Sequence, residues 1–174
     1  MTNNILQIYH FILYLFWGGK KKPRSFRGIY TKSEKILIIV PLDPAAADEV
    51  AECVKSLAET GKSITILLNN EARYKFPIDN RLQYEEYSRS DLLFDMYPKF
   101  GFLLRLRKLN FDLAVDLDLT GNNFTSFCAL AVKAPYKAGL SRKYFDRAYS
   151  ICFQINEERK LTIAQNYVDL LCGL

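Results

Sequence analysis

The sequence predicts an α/β fold: a Rossmann-like, doubly wound domain with a mainly parallel sheet and helices on both faces. Three observations carry that prediction. Apolar runs of strand length recur at residues 35–40, 63–68, 111–119 and 136–140. Stretches with apolar residues at helical spacing alternate with them. The first two runs are joined by one helical stretch with its own start and stop signals, which makes residues 35–68 a β-α-β unit.

Lys-Ile-Leu-Ile-Ile-Val at 35–40 is continuously apolar and β-branched after its first residue, the pattern of a strand covered on both faces. Asp43 and Pro44 stop it. Asp43 suits a helix cap, and Pro44 suits the first helical position, where no N–H is needed. From Ala45 to Thr60, Ala47, Val50, Val54 and Leu57 recur at three and four, while Asp48, Glu49, Glu52 and Lys55 fall largely elsewhere. Gly61 ends this helix, and 63–68 is a second parallel strand.

Residues 69–80, polar and containing Pro77, read as a loop with a short helical turn, and 81–88 as a short strand. Ser90 and Asp91 signal a helix start. Pro98 and Gly101 interrupt the stretch up to Leu109, which predicts a short first helix and then a second one. On the second, Leu103, Leu104 and Leu106 are apolar and Arg105, Arg107 and Lys108 are outward. This cationic run reads as a solvated face rather than a nucleic-acid patch.

Residues 111–119 form a further strand with two carboxylates near its C-terminal end, followed by the polar turn Thr120-Gly121-Asn122-Asn123. A helix is expected over 124–133, ended by Pro135. Strand 136–140, a charged loop over 142–147 and an extended piece over 148–153 come next. Asn156-Glu157-Glu158 opens a last helix with Leu161, Ala164, Tyr167, Val168 and Leu171 as its apolar stripe and Gly173 as its stop.

At 174 residues, 49% of them hydrophobic, the chain can bury one sizeable core. The expected division is an apolar and basic arm over 1–24, a linker over 25–34 and the domain over 35–174. Cys53, Cys128, Cys152 and Cys172 form no Cys-x-x-Cys pair and read as reduced core residues. The one histidine, His10, lies in the arm, so neither a His-based metal site nor a His general base is expected in the domain.

Charge is unevenly distributed. Residues 1–35 hold seven of the 24 Lys and Arg but one of the 19 Asp and Glu, so residues 36–174 carry 17 cations against 18 carboxylates. No nucleic-acid partner is expected for so neutral a domain. The arm reads as a peripheral membrane contact. Residues 5–17 are apolar apart from Gln7 and His10, and as a helix they span only about 20 Å, short of a hydrocarbon core of about 30 Å. Gln7, His10 and Tyr14 share one face; Ile5, Ile8, Tyr9, Ile12, Leu13 and Phe16 share the other. With Trp17 as an aromatic anchor and Lys20, Lys21, Lys22 and Arg24 facing anionic headgroups, the segment suits a bilayer surface. The alternative is a helix packed on the domain's own sheet. A cleaved leader does not fit, because the charges come after the apolar run.

In open α/β sheets ligands sit beyond the carboxyl ends of the strands, where strand order reverses. Two strand ends are chemically loaded: Pro41-Leu42-Asp43-Pro44, and Asp116-Leu117-Asp118 leading into Thr120 and Asn122. Neither carries a glycine-rich phosphate turn, so no dinucleotide or other cofactor is expected. Asp116 and Asp118 resemble a metal-holding Asp-x-Asp pair, but turn-forming and capping roles fit them better, and no metal is expected. The residues expected to meet a ligand are Asp43, Asp118, Thr120, Asn122 and Asn123.

The order of segments, on residues 35–57, 111–134, Tyr136-Lys137-Ala138-Gly139-Leu140 and 163–171, resembles the N-terminal domain of lipopolysaccharide heptosyltransferases, glycosyltransferase family 9. The resemblance spans 35–174. It implies the acceptor-side half of a two-domain GT-B enzyme, with a sugar or lipid-linked glycan as ligand, a cytoplasmic location at the inner face of a membrane, and a donor-binding partner chain or a homodimer. In the family the first strand leads into a Gly-Asp pair whose Asp serves as general base; here those positions are Ala45 and Ala46. Asp48 and Asp43 are the nearest carboxylates, and either could stand in for it only with a reshaped loop. The reading is therefore a domain inactive by itself, with a binding or scaffold role in envelope glycan metabolism. Its alternative is the acceptor half of a split glycosyltransferase.

Overall fold

A computed structural model describes residues 13, 17, 27–94, 97–120, 122–141, 145 and 148–153. After a single-turn helix, Ile29–Lys32 (α1), the chain forms Lys35–Ile39 (β1), Pro44–Ala58 (α2) and Ser63–Asn69 (β2). A 3-10 turn over Asn70–Lys75 leads to Leu82–Tyr87 (β3). A second such turn, Arg89–Asp91, opens a small antiparallel hairpin of Leu92–Leu93 (β4) and Tyr97–Pro98 (β5). The remaining elements are Phe100–Leu106 (α3), Leu113–Asp116 (β6), Asn123–Ala131 (α4), Tyr136–Leu140 (β7) and Ile151–Phe153 (β8).

Six strands make one parallel sheet in the order β3-β2-β1-β6-β7-β8. This is the expected doubly wound fold. The chain builds outward from β1 in one direction, then returns to its other side at β6, so strand order reverses between β1 and β6. Burial follows the period of two along β1: Ile36, Ile38 and Val40 pack on one face, Leu37 and Ile39 on the other. The first face is covered by α2 through Ala47, Val50, Val54 and Leu57, the second by α3 and α4 through Leu103, Leu106, Phe124 and Phe127.

Two boundaries differ from expectation. The segment read as a linker contributes Ile29, Tyr30 and Ser33 to the buried interior, and the Tyr30 hydroxyl donates to Thr60 Oγ1 at 3.1 Å. Spacing gave no sign of this, since two anchors in one helical turn make no periodic pattern. The short helix expected after Ser90 is instead the 3-10 turn and the hairpin. There the Ser88 N–H is taken by the Asp91 carboxylate, and Asp91 O accepts from Lys99 N at 2.8 Å, which folds the chain back before a helical turn can propagate. The last helix expected beyond residue 155 lies outside the described residues.

The arm is represented by two residues four apart. Leu13, 1% exposed, belongs to the same buried cluster as Phe102, Leu103 and Leu106. Trp17 is half-buried, stacked on Phe100 at 5.8 Å with the Arg107 guanidinium 5.2 Å over its ring. Trp17, the aromatic anchor expected for lipid, is thus stacked on Phe100 of α3 rather than on the sheet. Phe16, Lys20, Lys21, Lys22 and Arg24 lie outside the described residues.

The C-terminal end of α4 is finished by two cations. Lys137 Nζ donates to Leu130 O at 3.1 Å and Arg107 Nη1 to Ala131 O at 3.4 Å, satisfying terminal carbonyls and the negative end of the helix dipole together. Burial first, and the neighbouring Arg107 second, pull the Lys137 ammonium down to about 8. Among the described residues no helix is long and apolar enough to cross a membrane.

Candidate functional site at the strand-order reversal

β1 and β6 are paired in register, Ile39 opposite Asp116, and Leu117 N donates to Ile39 O at 3.1 Å. The two chemically loaded turns therefore leave the same edge of the sheet from adjacent strands, at the place where ligands enter this fold.

On the first turn, Asp43 is exposed, and its carbonyl accepts the opening helical bond of α2 from Ala47 N at 3.2 Å. Ala46, where the family resemblance locates the general base, stands in the first turn of that helix. Asp48 is no replacement. Its exposed carboxylate is held by Lys75 Nζ at 2.8 Å, which draws it toward the 3-10 turn after β2 and away from β6.

On the second turn the period of two decides everything. Ala114 lies in the core beneath α4, so Asp116 and Asp118 are carried to that face as well, and both are buried. Buried carboxylates persist only when their lone pairs are taken. Asp118 Oδ1 accepts from Thr120 N at 2.8 Å and Thr120 Oγ1 at 2.6 Å; its Oδ2 accepts from Asn122 N at 2.8 Å and Thr125 Oγ1 at 3.2 Å. Asp116 accepts from Asp118 N at 3.0 Å and from the phenol of Tyr149, whose oxygen also lies 3.0 Å from Ser126 Oγ. Asn122 then caps α4 by accepting from Phe124 N at 2.8 Å.

Asp118, expected to meet a ligand, is thus an internal brace that shapes the turn. What reaches solvent is Thr120 and Asn123, both exposed, and half-buried Asn122 beside them. No Lys or Arg occurs in residues 41–43 or 117–123, and among the described residues no three His, Cys, Asp or Glu side chains converge as a metal site would need. A rim of amides and a hydroxyl with one exposed carboxylate nearby suits a neutral, hydroxyl-rich ligand and is poor for phosphate.

Four parts of this arrangement escaped the sequence reading: Tyr149, Ser126, Thr125 and Gly139. A signal existed for three of them. Thr125 and Ser126 are polar residues in the first turn of an otherwise apolar helix, and Gly139 inside a strand marks a close backbone approach. A Cβ at Gly139 would overlap Tyr149 Cε1. Tyr149 carried no local signal, because its partners are 33 and 23 residues away. Tyr87, at the end of β3, is also buried here. Its ring packs on Phe124 at 4.5 Å, its hydroxyl has no hydrogen-bond partner among the described residues, and burial, with Cys128 and Asp118 next, pushes its phenol up.

No protein-family model matches the chain, and no curated protein matches it. Among solved structures, the fold recurs in the crystal structure of the glycosyl transferase family 9 from Veillonella parvula DSM 2008, with a TM-score of 0.61 at 14% identity. The match covers 80% of this chain and 41% of that one. It shows a glycosyltransferase-like fold. The chain spans less than half the length of the chain it resembles.

Proposed function

We propose that this domain binds a neutral, hydroxyl-rich glycan at the turns following β1 and β6 and does not transfer sugar by itself, serving as a binding or scaffold component of envelope glycan metabolism. The observation that carries this reading is the state of the carboxylates. Asp116 and Asp118 are buried and bonded inside the protein, Asp48 is paired with Lys75, and Ala46 stands where the family resemblance locates a base. A general base must reach the proton it removes: Asp116 and Asp118 are enclosed and Asp48 is tied to Lys75. That leaves exposed Asp43 as the carboxylate at the rim, so Asp43→Ala is run beside Asp48→Ala in the transfer test. The polar rim of Thr120, Asn122 and Asn123 remains for recognition. The fold likeness supports a sugar as the ligand class, with lipopolysaccharide acceptors as the specific candidate, at the inner face of the membrane.

The test has two arms. Purified full-length protein, mixed with an ADP- or UDP-sugar and a lipopolysaccharide-core acceptor, is expected to give no product. Turnover abolished by Asp43→Ala or Asp48→Ala would overturn the non-catalytic reading. In titration calorimetry a phosphate-free core oligosaccharide is expected to bind, and Asn123→Ala to weaken it by about tenfold, the loss of a well-placed hydrogen bond. Binding untouched by Asn123→Ala and Thr120→Ala would remove the site.

A second reading is the acceptor-binding half of a split glycosyltransferase, completed by a separate donor-binding chain. It rests on the fold likeness to a glycosyl transferase family 9 chain. It predicts transfer activity that arises only on co-expression with such a chain.

A further inference from the structure

Phe94 stands at the tip of the β4–β5 hairpin with φ +52° and is 72% exposed. Left-handed backbone disfavours a bulky side chain and favours Gly or Asn, and water disfavours an exposed aromatic ring. A turn shaped only by folding would carry neither cost. Beside it the apolar surface continues. Leu93 is exposed on the same hairpin, and on α3, which begins two residues after β5, Phe100 and Leu104 are exposed four apart on one face. Trp17 stacked on Phe100 extends the patch.

Among the described residues the charge beside it is cationic: Glu85 bonds Arg105 Nε at 2.9 Å, and Asp91 lies 3.7 Å from Arg105 Nη1, while Asp95, next to Phe94 in sequence, lies outside the described residues. Lys99 and Lys108, both exposed at the two ends of α3, make no ion pair among the described residues. Aromatic and aliphatic groups flanked by unneutralised lysines match an anionic bilayer, where rings enter the headgroup boundary and ammonium groups meet lipid phosphates. Protein interfaces, by contrast, are depleted in lysine. The hairpin also leaves the sheet from the C-terminal end of β3, the edge that carries the polar rim, and Tyr97 of β5 lies 6.1 Å from Phe127 of α4.

We propose that the hairpin tip at Phe94, with the outer face of α3, docks on an anionic membrane surface and so holds the glycan-binding rim next to lipid. This deepens the proposed glycan-binding function and rests on it only for the identity of the glycan.

The experiment is co-sedimentation of the full chain with glycan-free vesicles, either phosphatidylglycerol mixed with phosphatidylethanolamine or phosphatidylcholine alone, at low and physiological salt. Binding is expected with the anionic vesicles, weakened by salt. Phe94→Gly is the decisive variant, because it relieves the backbone while removing the ring. Its melting temperature is expected to equal or exceed that of the parent, and its vesicle partition to fall by about tenfold, the value of inserting one aromatic side chain. Lys99→Gln with Lys108→Gln is expected to abolish the preference for anionic lipid. Unchanged partition of Phe94→Gly would overturn the proposal, as would equal binding to both vesicle types. A concentration-dependent dimer of the parent chain that Phe94→Gly dissolves would assign the patch to a second copy instead. Because the vesicles hold no glycan, Asn123→Ala leaves this result unchanged; loss of oligosaccharide binding alone defeats the function, and loss of vesicle binding alone defeats the docking surface.

Discussion

The ring of Tyr149 packs against the backbone of Gly139, so close that the smallest side chain at 139 would overlap its carbon atoms. That approach delivers the phenol to the buried Asp116 carboxylate.

Gly139→Ala is therefore expected to displace Tyr149 and to cost about 1–3 kcal/mol through overpacking, plus the weakened bond to Asp116. Tyr149→Phe keeps the packing and removes the donor, which leaves Asp116 short of one partner and costs about 1–3 kcal/mol. Urea unfolding of both variants checks this. An unaffected midpoint for Gly139→Ala would mean that the ring is not held there.

Tyr87→Phe is expected to go the other way. Its hydroxyl is buried without a partner among the described residues, so deleting it removes an uncompensated desolvation cost and keeps the contacts with Phe124 and Phe102. Stability should rise by about 1 kcal/mol. A loss of similar size would reveal a hydrogen bond to bound water.

Lys137 gives a pH dependence with a definite sign. Its amine titrates at about 8 in the folded protein and at its ordinary 10.5 in the unfolded chain. Below pH 8 both states hold the proton and the fold carries the full cost of burying it. Between about 8 and 10.5 the unfolded chain binds more protons, so this group's contribution to stability rises with pH. The stability of the parent relative to Lys137→Met is expected to rise by roughly 3 kcal/mol across that window. A pH-independent difference would refute the shift.

Deleting residues 1–24 tests the arm. The sequence leads one to expect a detachable segment, but Leu13 is buried against α3. Leu13→Ala alone is expected to cost about 2–5 kcal/mol, and the truncated chain to unfold earlier in urea and to bind a hydrophobic dye. A truncation as stable as the parent would make the arm an appendage after all.

Fold class was legible because β1, α2 and β2 each carry a complete local signal: a β-branched run, an Asp-Pro start, a glycine stop. The strand-order reversal, too, lies between the two turns whose polar residues mark them in the sequence. The site was half legible. Asn122 and Thr120 announce a turn, and Asp118 its brace, but whether a carboxylate at a strand end faces solvent or core depends on register with α4, and that is fixed by packing far away in sequence. Leu13 and Trp17 were ambiguous for the same reason: an apolar side chain reads identically whether lipid or the domain covers it.

The place of β1 at the centre of the sheet also sets the order of assembly. As the chain leaves the ribosome, β1, β2 and β3 are synthesised by residue 87, whereas β6, which seals the other side of β1, comes only at 113–116. Until then the Leu37 and Ile39 edge is an open, apolar template for pairing with any neighbouring nascent chain. Asp112 marks the end of that exposure: its carboxylate closes on the N–H groups of Glu34 and Lys35 at 2.9 Å each, across nearly eighty residues of sequence. Slowed translation between β3 and the end of β6 would lengthen the vulnerable interval, and slowed translation after β6 has emerged would not.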